Sequence, residues 1–148
     1  MPDPFSLSRF VDAQEPIFVR ALEEIRRGRK ESHWMWFIFP QIAGLGQSPT
    51  ARYFAIHGID EARAYLAHPA LGPRLIECCE AILQVTGKSA HGILGSPDDM
   101  KLRSSMTLFA RVPDAPLAFS QVLAKYYEGQ HDQKTLELLN LPPNGSGS

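Results

Sequence analysis

The chain has 148 residues, enough for one domain with a proper core. Hydrophobic residues make up 44% and charged residues 21%, the balance of an ordinary globular protein. The formal charge of −1 exerts no general pull on a phosphate backbone, which excludes non-specific nucleic-acid binding as a default.

The first residues hold no basic segment followed by an apolar run, so they do not read as a secretory signal. No apolar stretch approaches the roughly 20 residues that a helix needs to cross a bilayer. Residues 1–14 begin irregularly, with Pro2 and Pro4, and Phe5, Leu7, Phe10 and Val11 are expected along a surface groove. A first helix is predicted over 16–27. Phe18, Ala21, Leu22 and Ile25 recur at helical spacing, Pro16 suits its first turn and Gly28 its stop. The basic run Arg26, Arg27, Arg29 and Lys30 reads as a solvated helix end in preference to an anion site.

The stretch from His33 to Ser48 holds both tryptophans, Trp34 and Trp36, with Phe37, Phe39, Pro40, Gln41, Gly44 and Gly46. Its apolar part is too continuous to show a period, and Pro40 disfavours helix at Phe39. A short buried segment followed by a loop over 41–47 is expected, with Gly44 and Gly46 permitting positive φ or close approach. Ser48 and Pro49 form a helix-start pair, and this helix carries Tyr53, Phe54 and Ile56 to about His57.

Gly58 breaks the pattern and Asp60 caps a helix that halts near Pro69. Leu71, Leu75, Cys78 or Cys79, Ile82 and Leu83 mark another, ending at Gly87. Neighbouring cysteines seldom have the geometry for an unstrained disulfide, so both are read as reduced thiols in a cytosolic protein, with the buried small-hydrophobe role favoured for at least one. Ser89 caps a short turn that ends at Gly95. Ser96 is expected to cap a helix with Pro97 first, and Asp98 and Asp99 where negative charge meets the dipole. Pro113 ends it. Pro116 starts the next helix, which stops at Gly129, and Asp132 caps the last.

These elements predict a single all-α domain over 1–141, with six to eight short helices around a central aromatic loop segment. Residues 142–148 read as a flexible or extraneous tail.

No phosphate loop, dinucleotide fingerprint, HExxH or GxSxG occurs. The five histidines lack ligand spacing, so no metal and no cofactor are expected. Two constellations remain. The first is Trp36, Phe39, Gln41, Gly44, Gly46 and Ser48, an aromatic wall with an amide and free backbone N–H groups that would stack a base and hold a phosphate. For Trp36 and Gln41, core and pocket wall are both open readings. The second is Asp98, Lys101, Ser104 and Ser105 on one helix. Asp98 and Lys101 lie three apart, on one face. They are either a solvated ion pair or an acid, base or nucleophile flanked by hydroxyls.

Taken together, the motifs W-x-W-F-I-F-P-Q, G-L-G-x-S, E-A-x-x-Y-L-x-H-P-x-L-G-x-R-L and D-x-x-K-L-R-S-S-M-T-L-F resemble domain-of-unknown-function family 1810. That resemblance covers about Phe5 to Leu139 and implies a mainly α-helical bacterial protein. The order Asp98, Lys101, Met106 and Phe109 also resembles the NAD- and ADP-ribose-associated, YbiA-like family, although Pro97 stands where a tryptophan is expected. This second resemblance implies binding of an ADP-ribose-like group and cleavage of an N-glycosidic bond. The resulting expectation is a hydrolase acting on a nucleotide-like or ADP-ribosyl small molecule. Lys101 and Asp98 would be catalytic, and Trp36, Phe39, Gln41, Gly44, Gly46, Ser48, Ser104 and Ser105 would bind substrate. The alternative is a non-catalytic module that binds a nucleotide or a protein through the same residues.

Overall fold

A computed structural model describes residues 3–140. They form ten helices: α1 (Ser8–Gln14), α2 (Phe18–Arg27), α3 (Met35–Ile38), α4 (Pro49–Tyr53), α5 (Ile59–Ala67), α6 (Leu71–Gln84), α7 (Ala90–Leu94), α8 (Asp98–Ala110), α9 (Ala118–Tyr127) and α10 (Gln133–Leu138). Among the described residues the only β pairing is an isolated parallel bridge between Ile42 and Ile56. The fold is therefore all-α, as expected. Ten helices replace the expected six to eight because α1 and the one-turn α3 add to the helices that the sequence predicts. The tail 142–148 lies outside the described residues.

The core forms where α8 packs on α5, α7, α9 and α10, and α6 packs on α2, α5 and α9. Tyr65, Phe109 and Phe119 link α5, α8 and α9 through ring contacts of 5.3 and 5.6 Å. Phe10 extends this chain, meeting Tyr65 edge-on at 5.2 Å. Its ring is fully buried, which corrects the surface placement expected for it. Phe5, Leu7 and Val11 do border a groove beside α1 and α5. Cys78 and Cys79 are free and buried, and burial pushes the Cys78 thiol up to about 12.

Capping explains several boundaries. Ser48, Ser89 and Asp132 each accept a backbone N–H of the first turn they cap, from Ala51, Gly92 and Thr135. Three expectations fail. Asp60 does not cap α5: it lies in the first turn, and Gly58 holds the cap position without a side-chain bond. Helix α4 stops at Tyr53, four residues before His57, because the chain turns into the Ile42–Ile56 bridge. Ser96 is not the cap of α8: Pro97 occupies that position, without a side-chain cap, and Asp98 and Asp99 fill the first turn.

A buried carboxylate sets the entry to the aromatic stretch. Glu24 is 1% exposed. Its Oε1 accepts the backbone N–H groups of Glu31 and Ser32 and the indole Nε1–H of Trp34, at 2.8 to 2.9 Å. Its Oε2 accepts the Ser32 hydroxyl at 2.6 Å and Arg20 Nε at 3.2 Å. The chain after α2 is thus folded back onto it, and Trp34 is sealed in the core. Burial alone would raise the Glu24 carboxyl, but the hydrogen bonds from Ser32, Glu31 and Trp34 outweigh it and bring it to about 2.

A depressed carboxylate stabilises the fold above its unfolded value of 4.5 and loses that contribution as pH falls toward 2. Glu24→Gln is expected to destabilise the protein by about 2 kcal/mol at pH 7 in urea unfolding, because donors to a charged acceptor lose their partner. The difference from wild type should shrink between pH 4.5 and 2. A gap independent of pH would contradict this role.

Candidate functional site

Helix α8 supplies one wall of the site and the loop after α3 supplies the other. The geometry starts at Asp98, in the first turn of α8. Its Oδ1 lies 3.3 Å from Lys101 Nζ, one turn along the same helix. Its Oδ2 lies 2.9 Å from Nζ of Lys30, which comes from the segment after α2. The backbone N–H of Lys30 donates to Ile93 O at 2.8 Å, which ties this segment to α7. Side-chain exposures of 10% for Lys30, 17% for Asp98 and 18% for Lys101 make this a largely desolvated ion cluster. It is not a solvated helix face.

Each ammonium also rests on an indole. Lys101 Nζ is 3.7 Å from the ring centroid of Trp36, and Lys30 Nζ is 5.1 Å from that of Trp34. The resulting order is Trp34, Lys30, Asp98, Lys101, Trp36. The solvated role expected for Lys30 is therefore corrected: its charge is paired with Asp98 and covered.

Trp36 is half-buried and stands between two hollows. The larger is a cleft of about 230 Å³. Trp36, Gln41, Leu45 and Gly46 form one wall; Pro97, Met100, Lys101 and Ser104 form the other; Asp132 borders it beside α10. The smaller hollow, about 90 Å³, shares Trp36, Gln41, Leu45 and Gly46 and is closed by Ala51, Arg52 and Phe54, among others. The tryptophan-rich loop and the lysine–diserine helix thus face a common cleft.

The residues singled out in the sequence divide. Trp36, Gln41, Gly46, Lys101 and Ser104 line the larger cleft. Asp98 sits behind Lys101 with both oxygens in ion pairs. Ser105 is fully buried, and its hydroxyl has no partner among the described residues. Phe39 is fully buried and packs on Trp34 at 6.3 Å, so it offers a ligand no surface. Gly44 borders only the smaller hollow. Its φ is +103°, and Leu138 lies where a side chain would point. Ser48 lines neither hollow; its hydroxyl is spent capping the short α4, which removes it as a phosphate holder.

The free polar groups are few. The Gln41 amide makes no side-chain hydrogen bond among the described residues. Ser104 donates to Met100 O at 3.1 Å and keeps acceptor capacity. Asp132 caps α10 through Oδ2, which takes Thr135 N–H and Oγ1–H, while Oδ1 has no protein partner among the described residues. Asp132 was legible as a cap but not as a cleft residue, because only the fold brings α10 beside α8. Lys30 and Glu24 carried no local signal of their roles. Arg103 donates to Gln130 O and His131 O and so holds the segment leading to Asp132.

The model of the family described as protein of unknown function (DUF1810) matches residues 4–139. The chain belongs to this family. The match spans every residue of the ion cluster and the cleft. The chain is also similar to a solved structure, the crystal structure of the conserved hypothetical protein Rv1873 from Mycobacterium tuberculosis. The two are 54% identical with a TM-score of 0.92, over 95% of this chain and 100% of that one. No curated protein matches. Among the described residues of this DUF1810 chain, no helix is long and apolar enough to cross a membrane.

Gly46 is the tightest point of the loop wall. A Cβ there would meet the Ala51 Cβ at 2.6 Å and the edge of the Trp36 ring at 3.7 Å. Gly46→Ala should destabilise by about 1–3 kcal/mol through forced displacement of α4 or Trp36, with a shift in tryptophan emission. Unchanged stability and emission would show that this loop packs more loosely.

Proposed function

We propose that this DUF1810 protein binds a nucleotide-like, ribosyl-bearing small molecule in the cleft between the α3–α4 loop and α8, and hydrolyses its N-glycosidic bond. The observation that carries the reading is convergence: Lys101, Gln41 with its unbonded amide and Asp132 with one uncommitted oxygen all border one cleft with Trp36. At about 230 Å³ the cleft is smaller than the roughly 300–1,000 Å³ of sites that enclose a drug-sized ligand. It suits one sugar or base, with the rest of the ligand outside.

Hydrolysis at a glycosidic carbon passes through an oxocarbenium-like state and needs a carboxylate near the sugar and a donor near the leaving group. Asp132 takes the first role, accepting a proton from the attacking water. The Gln41 amide takes the second as a hydrogen-bond donor, and Lys101 holds the anionic part of the ligand. The C–N bond breaks with its electron pair passing to the base nitrogen, the water oxygen bonds to the anomeric carbon, and the departing base takes its proton from solvent water. Asp98 is a positioning residue here: its two oxygens hold Lys30 and Lys101, and it does not line the cleft. The YbiA-like resemblance gains no support from the family match. Met106 and Phe109 are fully buried core, leaving Asp98 and Lys101 as its polar members at the site.

A second reading, a module that binds the same ligand without turnover, is favoured by one observation: the Asp98 carboxylate is fully engaged in ion pairs.

Thermal-shift screening against nucleosides, nucleotides and ADP-ribose, paired with an assay for released base, separates the readings. The expected result is a raised melting temperature and base release. Asp132→Asn should retain the thermal shift and lose about 10²–10⁴-fold in rate. Binding without release in the wild type would establish the module. No shift with any of these compounds would overturn both readings.

A further inference from the structure

The face of Trp36 toward the cleft is already occupied. Lys101 Nζ sits 3.7 Å from the ring centroid, and Gly46 lies against the ring edge. A base cannot stack on that face while the ammonium covers it. The ammonium itself is held by Asp98, but Asp98 is shared with Lys30 at the shorter distance, 2.9 against 3.3 Å. Two ammonium groups on one carboxylate leave the cluster with one positive charge in excess. Both lysine side chains are more than four-fifths buried, and a poorly solvated excess charge favours an incoming anion.

We propose that Lys101 is a latch on the Trp36 face, released by an anionic group of the ligand. This rests on the ribosyl-ligand reading and sharpens it: the ligand carries a phosphate beside its sugar. The phosphate takes the Lys101 ammonium in a charge-assisted contact, which exceeds a cation–π contact in strength. Lys30 remains on Asp98 and keeps that carboxylate from being stranded. The freed Trp36 face then stacks the ring of the same ligand, so anion and ring bind cooperatively. A nucleoside, lacking the phosphate, must compete with the latch. The four-carbon stem of Lys101 and the half-exposed Met100 beside it give the ammonium room to swing toward the mouth of the cleft.

Two measurements test this. The first needs no ligand. Trp34 is fully buried and Trp36 half-buried, so acrylamide quenching of tryptophan emission reports mainly on Trp36. Lys101→Met keeps the length of the stem and removes the charge; quenching is expected to rise about twofold or more. Unchanged quenching in a folded variant would overturn the latch. The second titrates adenosine 5′-monophosphate, adenosine and inorganic phosphate by calorimetry. Wild type is expected to bind the monophosphate at least tenfold more tightly than adenosine, and Lys101→Met to abolish that preference while binding adenosine more tightly than wild type does. Equal binding of adenosine and its monophosphate by wild type would overturn the anion latch and leave the ribosyl reading standing. Binding of phosphate as tightly as the monophosphate would overturn the cooperative stacking. No binding of any of the three would overturn the latch and remove the support for the ribosyl reading.

Discussion

Everything proposed for this molecule depends on one carboxylate serving two ammonium groups. Asp98 opens α8, receives Lys30 from the segment after α2 and Lys101 from its own next turn, and so draws two distant parts of the chain to one point. The ammonium groups lie against two indoles, Lys30 against the buried Trp34 and Lys101 against the half-buried Trp36. An ion cluster this poorly solvated contributes little through Coulomb attraction alone, because desolvation offsets much of it. What it supplies is definition: in the ligand-free protein, Lys101 is held against the face of Trp36.

Glu24 performs the matching task at the other end of the segment. It gathers four donors from residues 31 to 34 and makes the entry to the tryptophan stretch rigid, with Trp34 inside the core and Trp36 two residues later at the cleft. The division of labour between the tryptophans follows from that anchoring. Trp34 has a buried acceptor for its indole N–H and is structural. Trp36 sits beyond the anchor, at a one-turn helix that leads into a glycine loop, and keeps one side near solvent.

The elements that were legible in the sequence were those whose cause is local. Ser48 before Pro49, Ser89 and Asp132 announced helix starts, and a side-chain cap is decided within three residues. Gly28 stopped α2 because its φ is positive. Helix α1 has no such local mark: its cap residue, Leu7, carries no capping group, and Asp3 accepts the Leu7 and Ser8 N–H groups from further upstream. Phe39 reads as a pocket wall from sequence because burial depends on what the rest of the chain packs against it. The same holds for Lys30: in a basic run it reads as solvated, and only the placement of α8 gives it Asp98. Asp132 lies far from the tryptophans in sequence, and its second oxygen acquires meaning only when α10 packs on α8. Local chemistry was readable, whereas long-range pairing of charges was not.

Asp98 and Lys30 are coupled partners, and their pairing sets the position of Lys101. A double-mutant cycle in urea unfolding on Lys30→Met and Asp98→Asn measures that coupling. The expected coupling energy is about 1–3 kcal/mol, with the double variant more stable than the sum of the single losses implies. Strictly additive losses would mean that the two side chains do not interact, and the ordered cluster beside the cleft would not exist in solution.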